Sequence, residues 1–134
     1  SRDASDEAIF AAAREADANL VTLTGDTHNA WAFQLEHAGE AAGIEFAGQS
    51  VTSPGFESYL TAIAPADLSQ AMVGRNPQLR WAETSRRGYM AVELTPARTS
   101  CEWRMLAGVR ERSTRLAGSY SMVSTAGSNR FDTG

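Results

Sequence analysis

Val21-Thr22-Leu23-Thr24-Gly25-Asp26-Thr27-His28-Asn29-Ala30-Trp31 is the stretch on which the reading of this chain turns. Leu20 to Thr24 is a short β-prone run without a charge, which reads as a buried strand. Gly25 breaks it, and Asp26 then places a carboxylate just past the strand's C-terminal end, where open α/β sheets gather their ligands. Asp26 and His28 stand two residues apart. In an extended backbone both side chains would point to one side with Cα atoms about 6.6 Å apart. That span suits one metal held from two sides, or one ligand for each of two metals about 3.5–4 Å apart. Gly25, having no Cβ, lets the backbone approach a metal or a phosphate oxygen. Turn chemistry with a surface or satisfied core histidine explains the same spacing, and two ligands do not close a site.

Outward from this segment the periodicity describes a mixed α/β (α+β) domain. Asp6 to Asp17 reads as a helix with Ile9, Phe10 and Ala13 on one side, Ser5 as its cap and Asn19 as its close. Ala30 to Leu35 reads as a second strand, Gly39 and Gly43 punctuate a turn, and Ile44 to Ala47 returns. Phe56 to Val73 is helical, with Pro65 suited to the first turn of a helix rather than its interior. Arg80 to Thr84 is extended. Gly88 to Leu94 and Thr99 to Met105 alternate with period two about a Thr95-Pro96-Ala97-Arg98 turn, which predicts a hairpin with Met90, Val92 and Leu94 inward. Val109 to Arg115 is expected to be exposed, and residues 124–134 to be a loose polar tail. No repeat or linker divides the chain.

Composition bounds the function. A chain of 134 residues with 43% hydrophobic and 21% charged residues can bury one core. The net charge of -4 argues against a nucleic-acid partner, which ordinarily meets a basic face. No apolar stretch approaches the roughly 18 residues a membrane span needs. All basic residues are Arg, the better bidentate partner for phosphate, though biased codon usage produces the same pattern. The single Cys101 excludes an internal disulfide and any multi-cysteine zinc site; it alternates with Trp103 and Met105 and reads as core. Trp31, Trp81 and Trp103 read as packing, and His37 as an exposed loop histidine. Asn29 is equally suited to bonding a substrate, as a catalytic residue, or its own turn. Arg86 and Arg87 suit a phosphate clamp or solvated charge.

Three blocks in order carry a family resemblance. They are the Val21 to Trp31 segment; Gly48-Gln49-Ser50-Val51-Thr52-Ser53-Pro54-Gly55-Phe56; and Asn76-Pro77-Gln78-Leu79-Arg80-Trp81 running into Arg86-Arg87-Gly88-Tyr89. In sequence and spacing they resemble the C-terminal half of the catalytic domain of PhoD-type alkaline phosphatases, over roughly residues 6 to 105. The resemblance implies part of a calcineurin-like metallophosphoesterase fold, a two-sheet sandwich flanked by helices with a binuclear metal centre at the strand ends. It implies that Asp26 and His28 are metal ligands. Iron and/or calcium are the metals expected by resemblance, while an Asp–His pair also suits zinc or manganese. The remaining ligands, an Asp, a Cys and a Tyr, come from upstream segments in that family, so residues 1–134 are expected to be one piece of a longer or nicked enzyme whose N-terminal part is its partner. The implied activity is metal-dependent hydrolysis of phosphate esters, mono- or diesters, by a secreted or periplasmic protein. The alternative is a non-catalytic structural or interaction module on the same scaffold. Ser53 and the Gly55 N–H would lie near a substrate oxygen or simply end a strand.

Overall fold

A computed structural model describes residues 4–133. In chain order the elements are α1 (Ala4–Glu15), β1 (Val21–Thr24), β2 (Ala30–His37), β3 (Glu40–Ala47), a single 3-10 turn (Phe56–Ser58), α2 (Pro65–Arg75), β4 (Leu79–Glu83), β5 (Gly88–Leu94), β6 (Arg98–Leu106) and β7 (Leu116–Thr125). The first four strands form a mixed sheet in the order β1-β3-β2-β4, with β1 parallel to β3 and the other pairs antiparallel. The last three form an antiparallel sheet, β5-β6-β7.

The two sheets face one another through alternating residues. Ala30 and Ala32 of β2, Ile44 and Phe46 of β3, and Cys101, Trp103 and Met105 of β6 make one buried cluster. Small residues on β2 leave room for the large ring opposite them. Trp103 is fully buried, lies edge-on to Phe46 at 5.6 Å between centroids, and donates its indole N–H to Ala47 O at 2.9 Å. That bond satisfies the ring's one polar atom and joins the sheets by something more directional than contact. The opposite face of the first sheet is covered by other elements: α2 packs on β4, and the Phe56 ring lies 5.9 Å from Trp31.

Pro65 occupies the first turn of α2, as its sequence position requires. The hairpin forms in register, with Met90 opposite Trp103 and Val92 opposite Cys101. Leu94 departs from the expected inward face and is 65% exposed. It is the last residue before the turn, on the rim of a cleft shared with Leu20, Val21 and Thr95.

Several other expectations are corrected. β1 is not a buried strand: its one sheet partner is β3, and Leu23 is 51% exposed because it sits on the sheet's edge. Ser5 lies inside α1 rather than capping it. The helix is closed by Asp17 at φ +49 with the Ala18 N–H on Ala13 O, while Asn19 accepts a 2.6 Å bond from the Gly127 N–H. His37 ends β2 instead of lying in a loop, with its ring 5.6 Å from that of Phe10. The stretch expected to be a loose tail begins within β7 and folds back. Gln34 donates to Asn129 O at 2.8 Å, Asp132 is bonded to Val123 and Thr125, and Phe131 packs on Phe46.

Glu83 ends β4 nearly buried. Burial pushes its carboxyl up, but bonds from the Ser85 N–H and hydroxyl and from Arg86 outweigh this and hold it below the ordinary glutamate range. A depressed folded-state pKa contributes stability that is present above the unfolded value, about 4.3, and is lost as pH falls through the folded one. Glu83→Gln should therefore reduce stability at pH 7, and the gap from the parent protein should shrink as pH is lowered below about 4, followed by urea denaturation at several pH values. Trp103→Ala should cost about 3–5 kcal/mol in the same assay at neutral pH, since it empties the centre of the sandwich and orphans Ala47 O.

Candidate active site

The Asp26–His28 segment leaves the C-terminal end of β1, as the sequence indicates, but it does not leave it extended. Asp26 has φ +71 and His28 φ +62, so the chain turns through two left-handed residues that are not glycine. Asp and His tolerate this region better than most residues, yet it is a strained choice that persists where surrounding structure holds it. The same-side argument from strand geometry consequently does not apply. Both side chains are instead presented to solvent by a tight turn.

A second loop holds that turn. His28 Nδ1 lies 3.0 Å from Pro54 O. A proline carbonyl only accepts, so Nδ1 carries the proton, and in the neutral ring Nε2 carries the free lone pair. This is the arrangement of a histidine ready to ligate: one nitrogen fixed by a carbonyl and the other left open. Next to it, Asn29 is fully buried, its Oδ1 accepting the Phe56 N–H at 3.1 Å and its Nδ2 donating to Thr27 O at 2.6 Å. Of the two roles open to Asn29 in the sequence, the geometry serves loop building.

Gly55 is buried against these groups. A Cβ there would sit 2.6 Å from Asn29 Oδ1 and 2.9 Å from both Glu57 Oε2 and Thr84 O. Its φ of -94 is ordinary, so glycine is needed for room and not for conformation. Ser53 lies in a turn in which its own N–H donates to Ser50 Oγ at 2.8 Å, the strand-ending role. The two arginines of the third block are both ion-paired, Arg86 with Glu83 and Arg87 with Glu57. Neither is a free phosphate clamp, and Arg87, 16% exposed, is not a solvated charge either. Sequence reading missed Pro54 and Glu57, which act through a backbone carbonyl and through a partner 30 residues away. Cys101 is remote from this chemistry, buried in the core with its thiol pushed up to about 12 by desolvation. Among the described residues no group of three or more His, Cys, Asp or Glu side chains gathers to hold a metal.

The three sequence blocks thus meet at one corner of the sandwich. If that corner is close-packed as described, Gly55→Ala should destabilise the protein by about 1–3 kcal/mol by forcing a methyl group among three oxygens. Gly25→Ala, where a Cβ would meet nothing within 4 Å, should cost less. Thermal unfolding of the two variants side by side makes the comparison.

The chain is similar to known proteins over most of its length. The sequence profile of the PhoD-like phosphatase family matches residues 1–103. Alkaline phosphatase D of Bacillus subtilis (strain 168) is 31% identical over 110 residues, covering 78% of this chain and 18% of that protein. A solved structure of PhoD superposes with a TM-score of 0.72 at 26% identity, over 94% of this chain and 24% of that one. The chain therefore spans about a fifth to a quarter of the length of these relatives, and its two packed sheets correspond to part of theirs. On these grounds the chain belongs to the PhoD-like phosphatase family.

Proposed function

We propose that this chain supplies part of the active site of a metal-dependent phosphoesterase, with Asp26 and His28 as two of the metal's ligands. The observation that carries the reading is the His28 turn: an exposed imidazole with Nδ1 bonded to a carbonyl and Nε2 open, two residues from an exposed carboxylate. Oxygen and imidazole nitrogen together are a donor set that suits iron, zinc or manganese, and the carboxylate also suits calcium. The residues present fit such a metal as a partial site. Other ligands would come from the rest of a longer enzyme, of which an N-terminal part is the partner this reading requires.

A metal bound there supplies Lewis acidity, activating water for attack on a phosphate mono- or diester and stabilising charge on the ester oxygens. The chain's own residues do the holding. Asp26 contributes negative charge and His28 a neutral nitrogen; Pro54 O fixes the histidine's tautomer, and Asn29 builds the turn that presents both side chains. Secretion or export to the periplasm belongs to the same reading, by likeness to the family. A non-catalytic module on the same scaffold is the alternative, and the open Nε2 of His28 is what favours the first reading.

In the complete enzyme, Asp26→Asn and His28→Ala should each cut turnover of a chromogenic phosphate ester by at least about 100-fold, since each weakens the centre on which the transition state depends. The fold should be little affected, because both side chains are exposed. Steady-state kinetics and metal analysis decide the matter. Turnover near that of the parent enzyme in both variants, with unchanged metal content, would leave the family assignment standing and remove the site.

A further inference from the structure

Arg87 and Glu57 form a largely buried ion pair. Their side chains are 16% and 23% exposed. Arg87 Nη2 donates to Glu57 Oε1, and Nη1 donates to Ser85 O at 2.8 Å. Arg87 Nε and Glu57 Oε2 have no hydrogen-bond partner among the described residues. Taking such charges out of water is costly, and a pair left incompletely satisfied is poor value as a stabilising device. Its place in the fold suggests another use.

Glu57 lies in the 3-10 turn directly after Pro54 and Gly55. That turn has three anchors: the Phe56 N–H on Asn29, the Phe56 ring beside Trp31, and Glu57 on Arg87. The first ties it to Asn29, next to His28, and the second to Trp31 of β2, a strand paired with β3 and β4. The third ties it to the start of β5, where Gly88 is paired with Met105 of β6 and its N–H is bonded to Ser50 O. The Glu57–Arg87 contact, together with the Gly88 N–H on Ser50 O, thus ties the loop that carries Pro54 O to the second sheet from outside the His28 loop. Gly55, lodged between Asn29 Oδ1, Glu57 Oε2 and Thr84 O, leaves the turn no slack to absorb a shift.

We infer that Arg87 is a positioning residue for His28, acting through Glu57 and the Pro54 carbonyl to hold the imidazole in its ligating orientation. The inference rests on the reading of His28 as a ligand. Arginine suits the task because its planar fork reaches Ser85 O and Glu57 at once, which a lysine ammonium on one flexible stem does not reproduce.

The test is made on the complete enzyme with Arg87→Met, Glu57→Gln, His28→Ala and the Arg87→Met/His28→Ala double variant. Affinity for added Mn2+ is measured by competition with a chelator, alongside ester hydrolysis and the unfolding midpoint. Arg87→Met should weaken Mn2+ binding by about 10–100-fold, the range for removing a group that orients a ligand. Turnover should fall with it at sub-saturating metal and recover in part at excess metal, with KM for the ester little changed. In the His28→Ala background the same change should weaken Mn2+ no further, because nothing is left to orient. Unchanged Mn2+ affinity in a folded Arg87→Met protein overturns the inference, as does an equal loss with and without His28. If Arg87→Met does not fold, Glu57→Gln, which keeps the side chain's shape and a hydrogen-bond acceptor, is read by the same two criteria. Unchanged Mn2+ affinity in His28→Ala alone would instead overturn the ligand assignment beneath it.

Discussion

The indole N–H of Trp103 reaches across the sandwich to Ala47 O, and the position of the active corner follows from it. Ala47 is the last residue of β3, and the next residue, Gly48, donates its N–H to Thr24 O at the end of β1. Two bonds in succession therefore connect the centre of the second sheet to the strand end from which the Asp26–His28 turn departs. Were the sheets held by apolar contact alone, they could slide while keeping most of their buried area, since such contact has no direction. A single buried donor with one acceptor in reach removes that freedom, at the cost of an orphaned polar group if it slips.

From this frame the site is built by compensation. A non-glycine left-handed residue is strained, and this loop contains two, at Asp26 and His28. The buried amide of Asn29, the carbonyl of Pro54 and the close approach of Gly55 hold the turn in that conformation. The residues that look chemical in the sequence are thus presented by residues that do not. The chain belongs to the PhoD-like phosphatases and spans 18% of the length of alkaline phosphatase D.

Elements governed by local period were legible in the sequence. Met90 and Val92 face inward because a two-residue alternation leaves no other burial, and Pro65 stands at the start of α2 because its ring fits nowhere else in a helix. The features that were not legible depend on partners distant in sequence. β1 resembles a buried strand in composition, but its exposure depends on where it falls in the sheet order. The polar 124–133 stretch looks unanchored until Gln34, about 95 residues earlier, is found to bond Asn129 O. The geometry of the Asp26–His28 segment was not legible: the spacing suggested an extended pair, whereas both residues take left-handed dihedrals and His28 is bonded to a loop 26 residues further on. The Glu57–Arg87 pair carries no sequence period at all.

Cys101 gives the chain a practical property. Its sulfur is 1% exposed, and burial pushes the thiol to about 12, so almost no reactive thiolate forms near neutral pH. With no other cysteine in these 134 residues, a maleimide or a spin label has nothing here to modify. A cysteine introduced on the exposed turn after β1, for instance at Thr27, would then be the one labelled position in this segment, and a reporter attached there would sense the ligand loop without any need to remove a native thiol from the core.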